Sequence, residues 1–305
     1  MHVLEYSALR LLAVILRVMG PDAASSTMGR IWQTIGPHTK RQDRVVANLQ
    51  RAFPDRSAEM LQTISSDQWN NLGRTFAESF LIERLYRDDE RFDFTPHARE
   101  IFDGLVQSGK GVVFVSLHTA NWELACLPMA KALKLTGLYQ RISNPLVDRY
   151  VTGLRTQVFR GGLLTKSHST PRKVMQIVRD GGGIGMLGDQ REKKGVEVEF
   201  FGETTRAQPF PAMIARRLDV PLIAGRAIRL DGSRFVIDGT AIPVPRSDDV
   251  SADIQVATQA VQRQFEDWIR EYPGQWMWIH DRWRPTNERR RRKSATLDKS
   301  APNAN

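Results

Sequence analysis

A single cysteine, Cys126, stands in a chain of 305 residues. One thiol builds neither an intramolecular disulfide framework nor a cysteine-based zinc or iron–sulfur site, and it fits a reducing compartment. Long apolar runs are equally scarce. Residues 3–19 (VLEYSALRLLAVILRVM) form the one extended apolar stretch, and without a second a polytopic membrane protein is excluded. Also missing are the Gly-x-x-x-x-Gly-Lys-Ser/Thr loop, the His-Glu-x-x-His pair and the Gly-x-Ser-x-Gly elbow. Nucleoside triphosphate hydrolysis, zincin proteolysis and α/β-hydrolase chemistry thereby lose their usual signatures.

What is present is an ordinary globular composition, 41% hydrophobic and 26% charged. The chain suffices for one large domain or two small ones without disulfide or metal staples, and wholesale disorder is ruled out. Charge is the unusual feature. Of a net +10, +6 falls between Arg282 and Asn305, where eight Lys/Arg meet two Asp/Glu. A basic tail points to an anionic surface, phospholipid or nucleic acid. The nearly balanced body argues against nucleic acid, because dedicated binders carry a basic face on the fold itself. Residues 287–305 lack apolar periodicity and read as a disordered basic tail; the run Arg289–Lys293 is either a solvated tail or a contact for anionic lipid, an acidic protein surface or nucleic acid.

As a helix, residues 3–19 would span roughly 25 Å, short of a ~30 Å hydrocarbon core. Arg10 and Arg17 fall on one face; Leu4, Leu11, Leu12, Ile15 and Met19 line another. The pattern fits a membrane-associating helix over residues 1–20 that lies in the interface, or tilts in while its arginines snorkel outward, the alternative being a helix packed on the protein's own core.

Residues 22–108 read as mostly helical. Val45, Leu49 and Phe53 repeat every fourth position before Pro54, and Thr95-Pro96 opens a helix that Gly109 closes. The texture then changes to strands at 112–117, 136–140, 184–188, 196–200, 221–229 and 233–238. Helices are expected over 121–135, 146–159, 171–180, 209–218 and 251–271. Asp231-Gly232 signals a hairpin, so the sheet cannot be wholly parallel. The expected fold is α/β: a single domain (21–286) with a mixed, mostly parallel sheet flanked by helices, plus an N-terminal helical layer. A Gly-x-Gly-x-x-Gly match at Gly183, Gly185 and Gly188 follows a helix and falls in a strand, so it reads as close backbone packing rather than a dinucleotide fingerprint.

The informative segment is SLHTANWELA, 116–125. If a helix starts near Asn121, His118 lies in the strand-to-helix turn and Glu123 in the first helical turn. The two can then meet, Glu123 fixing the imidazole tautomer that leaves the other nitrogen as a base. Helix-start amides would add positive potential for an oxyanion.

HTANWE (118–123) resembles the His-x-x-x-x-Glu/Asp motif of glycerolipid and lipid A acyltransferases, its Asn-Trp-Glu ending that of the late lauroyl and myristoyl transferases of lipid A biosynthesis. RVVANLQRAFP (44–54), LYQRISNP (138–145), GMLGDQR (185–191), FFGETTRAQ (200–208) and YPGQWMWIHDRWRP (272–285) resemble further segments of that family in the same order. In the last, Trp276 and Trp283 replace the family's Tyr and Phe. The resemblance implies an O-acyltransferase at the cytoplasmic face of a bacterial inner membrane. It would move a fatty acyl group from acyl carrier protein to a hydroxyl of a lipid A precursor, needing no metal and no cofactor beyond the acyl thioester. His118 would be the general base and Glu123 its support. Arg141 would stabilise an oxyanion or a lipid phosphate, with a solvated arginine as the alternative. Asn121, Trp122, Asn144, Asp189 and Gln190 are the substrate-binding candidates.

The motif chemistry is indifferent to the acceptor, so a lysophospholipid or other glycolipid is the rival substrate. A basic peripheral membrane-binding module is the non-enzymatic alternative. His280 reads as a packing or interface residue within its Trp-rich block. Trp276, Trp278 and Trp283 suit either a headgroup-level belt or the core, and Cys126 reads as a small core residue.

Overall fold

The computed structural model describes residues 2–283, the side chain of Pro128 excepted. The expected tail over 287–305, with Arg289–Lys293, lies outside the described residues. Helices α1 (His2–Met19), α2 (Pro21–Ile35), α3 (Gln42–Ala52), α4 (Ala58–Ser79) and α5 (Ile82–Arg87) form the N-terminal layer. A short strand, β1 (Phe92–Phe94), interrupts it before α6 (Pro96–Ser108). The α6 start is as expected: Thr95 Oγ1 accepts from the Ala98 N–H at 3.2 Å, with Pro96 in the first turn. Gly109 ends it at φ 61°, a left-handed conformation that glycine adopts without a Cβ penalty.

Strands and helices then alternate: β2 (Val112–Ser116), α7 (Leu127–Ala132), β3 (Leu135–Tyr139), α8 (Pro145–Arg155), β4 (Leu163–Thr165), α9 (Thr170–Arg179) and β5 (Gly183–Leu187). After β6 (Val196–Phe200) and β7 (Glu203–Ala207) come α10 (Phe210–Leu218), β8 (Leu222–Arg229), β9 (Phe235–Ala241) and α11 (Val250–Glu271). Among the described residues seven strands make one sheet in the order β1-β9-β8-β2-β5-β3-β4. β8, β2, β5, β3 and β4 run parallel; the hairpin at Asp231-Gly232 turns β9 antiparallel, and β1 follows β9. β6 and β7 form a separate antiparallel ribbon. β1 and β4, three residues each, are too short to show the alternation by which a strand is read from sequence.

The period-2 alternation of β2 and β5 divides the core in two. Val113, Val115 and Ile184 pack with Val174, Phe265 and Trp278 on one side of the sheet, while Phe114, Leu135 and Ile223 pack with Phe80, Leu85 and Leu124 on the other. The three tryptophans of the closing segment, Trp276, Trp278 and Trp283, are buried in the first layer, which decides between belt and core.

Two expectations need correction. The helix expected over 121–135 covers only α7, and Thr119–Cys126 is a turn. Pro128 belongs in a helix's first turn, not its interior. Ala120, at φ 44°, is held left-handed by partners outside the segment: its N–H donates to Gln275 O at 2.9 Å, and its carbonyl accepts from Thr75 Oγ1 at 2.6 Å. The second correction concerns α1, whose arginines border the side packed on the protein, Arg17 half-buried and Arg10 exposed, rather than snorkelling from a lipid-facing side. Arg10 lies 4.7 Å from the Tyr150 ring and Arg17 Nε donates to Phe80 O at 3.4 Å, while Ala13 and Leu16 are buried. Leu4, Leu11 and Ile15 point away, with Val3, Val14 and Val18. Among the described residues no helix is long and apolar enough to cross a membrane.

A buried ion pair joins the helical layer to the sheet. Glu78 of α4, fully buried, accepts from both terminal nitrogens of Arg229 in β8, from Ser25 Oγ at 2.7 Å and from Asn121 Nδ2 at 2.9 Å. Arg229 Nε also donates to Asn71 Oδ1 at 2.8 Å. Burial pushes the Glu78 carboxyl up, but Arg229 together with the Ser25 and Asn121 hydrogen bonds outweighs it and the net shift is downward. Arg229→Met leaves that carboxylate buried without its cation, and a loss of about 3 kcal/mol is expected in urea unfolding at neutral pH. Because Glu78 titrates lower folded than unfolded, the pair's contribution is full above the ordinary carboxyl range and lost as pH falls through the folded value. The wild-type and Arg229→Met stabilities should therefore converge in acid; a constant difference down to acid unfolding would refute this role.

Candidate active site

The register of two neighbouring strands builds the site. β2 and β5 are parallel, with Ser116 opposite Leu187. Two residues further along each strand, at the carboxyl edge where such sheets hold ligands, stand His118 and Asp189. Asp189, 2% exposed, accepts from the His118 backbone N–H at 2.8 Å and contacts His118 Nδ1 at 2.7 Å. Its Oδ2 also accepts from Trp276 Nε1 at 2.8 Å. Burial raises the Asp189 carboxyl, but the adjacent imidazole and these hydrogen bonds together hold it well below the usual carboxylate range. An ionised Asp189 fixes the proton on Nδ1 and leaves the lone pair on Nε2.

Nε2 looks into a cleft of about 480 Å³ along the carboxyl ends of β2, β5 and β3. Gln190 Nε2 stands 3.3 Å from His118 Nε2 and 3.0 Å from His280 Nε2, one amide nitrogen donating to both rings. Burial, and then the neighbouring His118, push His280 down to about 4, so it is neutral at neutral pH. Trp122 stands edge-on to His118, ring centres 5.0 Å apart, on the cleft wall.

The expected His118–Glu123 contact does not form. Glu123 lies in the same cleft, but both its oxygens accept from Arg155 Nε at 2.8 Å. With Glu123 in a turn rather than a helix, its carboxylate reaches α8 instead of the imidazole. Asp189, placed among the substrate-binding candidates, is the carboxylate that orients His118. Burial lowers the Arg155 guanidinium, and Glu123 more than restores it, for a net upward shift.

Three further candidates stand outside the cleft. Arg141 is exposed and absent from its lining. Asn144 caps α8, its Oδ1 accepting from the Leu146 N–H at 3.0 Å, and its amide donates to His2 O and Glu5 Oε2 at 2.9 Å, tying α1 to α8. Asn121 is fully buried and spends its amide on Glu78. Sequence reasoning missed His280 as a site residue. The signal lay in the density of polar residues within the closing aromatic block, but only chain pairing places it: Thr119 and Trp276 form an antiparallel bridge, and Met277 N–H donates to His118 O at 2.9 Å. Cys126 lines the cleft and is buried, its thiol pushed up to about 12 by burial and then by Glu123, which makes it a poor nucleophile. Among the described residues no group of three or more His, Cys, Asp or Glu converges as a metal-ligand set.

The family described as bacterial lipid A biosynthesis acyltransferase matches residues 3–285. A phosphatidylinositol mannoside acyltransferase of Mycolicibacterium smegmatis is 28% identical over 183 residues, 58% of each chain. A protein of the same name from Mycobacterium tuberculosis is 27% identical over 194 residues, 59% of this chain and 57% of its own. The chain thus spans under three fifths of the length of these curated relatives.

The paired imidazoles give a direct spectroscopic test. In a nitrogen-detected NMR titration His280 should remain neutral until pH falls to about 4. Since the unfolded ring protonates near its ordinary value of about 6.5, His280 should cost stability as pH falls from there towards the folded value. An ordinary titration for His280 would show that its burial beside His118 does not persist in solution.

Proposed function

The chain belongs to the bacterial lipid A biosynthesis acyltransferase family, and on that premise we propose that it transfers a fatty acyl group from an acyl thioester to a hydroxyl of a glycolipid. The observation that carries this reading is the buried Asp189 carboxylate bonded to His118 Nδ1, which leaves Nε2 as a base at the cleft. The acceptor hydroxyl takes the place of the Gln190 amide at Nε2 and attacks the thioester carbonyl. Its proton passes to Nε2 as the new C–O bond forms; the C–S bond then breaks and the thiolate takes that proton. The imidazolium formed in between is balanced by Asp189. Glu123 holds Arg155 in the cleft wall, where a guanidinium can face negative charge developing on the carbonyl oxygen.

The relatives carry the name of a mannosylated phosphatidylinositol, and the family that of lipid A; both are phosphorylated glycolipids, and we take that class as the acceptor. A lipid A precursor is the acceptor within it implied by the six-segment resemblance. Acyl carrier protein is the proposed donor. The protein acts, in this reading, at a membrane surface at the cytoplasmic side. What supports the membrane contact is the outward stripe of α1, on which Val3, Leu4, Leu11, Val14, Ile15 and Val18 are roughly half to four-fifths exposed; the cytoplasmic side comes from the family resemblance alone. An apolar face of that kind lies in the headgroup boundary of a bilayer.

Transfer from dodecanoyl-acyl carrier protein to a lipid A precursor and to phosphatidylinositol mannoside tests the chemistry. His118→Ala and Asp189→Asn should each lower kcat by about 10²–10⁴-fold; His118→Ala should do so with little change in melting temperature, whereas Asp189→Asn, whose amide cannot accept from all three donors, should lower it as well. Glu123→Gln leaves the His118–Asp189 pair intact and should cost less than Asp189→Asn. A His118→Ala protein as fast as the wild type would remove the base from the mechanism.

Vesicle flotation tests the membrane. Burial contributes about 25 cal/mol per Å² and is not screened by salt, so the intact protein should float at low and high salt alike. Replacing Leu4, Leu11 and Val18 by Ser leaves the buried Ala13 and Leu16 in place and should abolish flotation. Intact protein that stays at the bottom of the gradient would overturn the assignment.

A further inference from the structure

Gly183, Gly185 and Gly188 share one strand and its end, yet they do not share a reason to be glycine. A Cβ on Gly183 would come within 2.9 Å of Leu135 Cδ1, and one on Gly188 within 2.6 Å of Val115 Cγ2. Both are positions where a side chain is resisted by packing. At Gly185 the nearest atoms to an added Cβ, on Leu135 and Phe159, are 3.7 Å away, an ordinary contact. Gly185 has no positive φ either. Neither backbone conformation nor packing requires a glycine there.

The space beside Gly185 belongs to the cleft. In register, Gly185 lies between Phe114 of β2 and Gly137 of β3, and Gly137 is followed by Leu163 of β4. All four line the cleft, with Phe159 standing over the glycines: its ring would be 3.1 Å from a Cβ on Gly137. The next layer up the same face, about 7 Å nearer the strand ends, holds Ser116, Leu187 and Tyr139. Ser116 is 3% exposed, lines the cleft, and its hydroxyl has no hydrogen-bond partner in the protein. Below the glycines, Leu135 is fully buried and closes the face. From His118 inward the wall therefore runs from a polar rim, past the Ser116 hydroxyl, to an apolar recess that ends at Gly185.

We propose that Gly185 and Phe159 set the length of the acyl chain this protein accepts, the chain's terminal carbons ending beside Gly185 against the Phe159 ring, which together with Leu163 covers Gly137. The inference rests on the acyl-transfer reading above. A side chain at 185 fills the end of the recess and shortens the accepted chain; loss of the ring at 159 deepens the recess and lengthens it.

The test compares kcat/KM for octanoyl, decanoyl, dodecanoyl, tetradecanoyl and hexadecanoyl thioesters of acyl carrier protein. Gly185→Val should lower the ratio of the best wild-type chain to the next shorter ones by about tenfold or more, within the range that one or two methylenes are worth in a fitted pocket. Octanoyl transfer should stay close to wild type, which separates a length effect from a damaged enzyme. Phe159→Ala should shift the profile the opposite way, and does so independently if Gly185→Val fails to fold. Unchanged length profiles in folded Gly185→Val and Phe159→Ala, with transfer intact, would overturn the inference while leaving the acyltransferase reading standing. If the wild type transfers no acyl group, that reading fails. Native mass spectrometry of the three proteins with the matching free fatty acids then decides the recess alone: a length preference that moves with 185 and 159 supports it, and one that does not move sinks it.

Discussion

The Asp189 carboxylate is the constraint on which the site depends. It ends β5 beside the end of β2 and is shared among the His118 amide, the His118 ring and the Trp276 indole. Three chain segments distant in sequence thus meet on two oxygen atoms. An ionised carboxylate so deeply buried is costly unless every lone pair is used, and here the partners are those that a base needs. The same bonds that keep Asp189 charged also orient the imidazole and dock the closing segment.

That docking propagates. Trp276 pairs with Thr119, Gln275 O accepts from the Ala120 N–H, and Asn71 and Thr75 of α4 bond the Ala120 carbonyl. The left-handed Ala120 turn therefore survives because the helical layer and the carboxyl-terminal segment hold it from both sides. One residue on, Asn121 meets Glu78, and Glu78 meets Arg229. The N-terminal helices, the sheet and the closing segment thus converge on the few residues after β2. The sidedness of the sheet gives the rest: one face carries the tryptophan-rich core, the other holds the recess that starts at His118 and ends on glycine.

The fold was legible in the sequence wherever a local signal had a physical cause. A β-branched run marked β2, Thr95-Pro96 and Gly109 bracketed α6, and Asp231-Gly232 turned the hairpin of the main sheet. The expected α/β fold, with its mixed and mostly parallel sheet, is what these signals add up to. Short elements escaped because three residues carry no period, and the helix expected from Asn121 failed because Pro128 and the outside partners of Ala120 override local propensity.

For the site, the sequence by itself determined the reactive residue types and the order of the motifs around them: a histidine immediately after a buried strand, an acid five residues on, an Asp-Gln pair ending another strand. It could not determine which acid meets the histidine. That is decided by strand adjacency, and adjacency follows from which faces are covered by which helices, a property of the whole chain. Only the register of β2 against β5 sets Asp189 beside His118 and leaves Glu123 to Arg155. Likewise a glycine reads the same in sequence whether a neighbouring side chain crowds the place of its Cβ or leaves room for one. The tertiary structure alone separates Gly185 from Gly183 and Gly188, because the difference lies in atoms contributed by other strands.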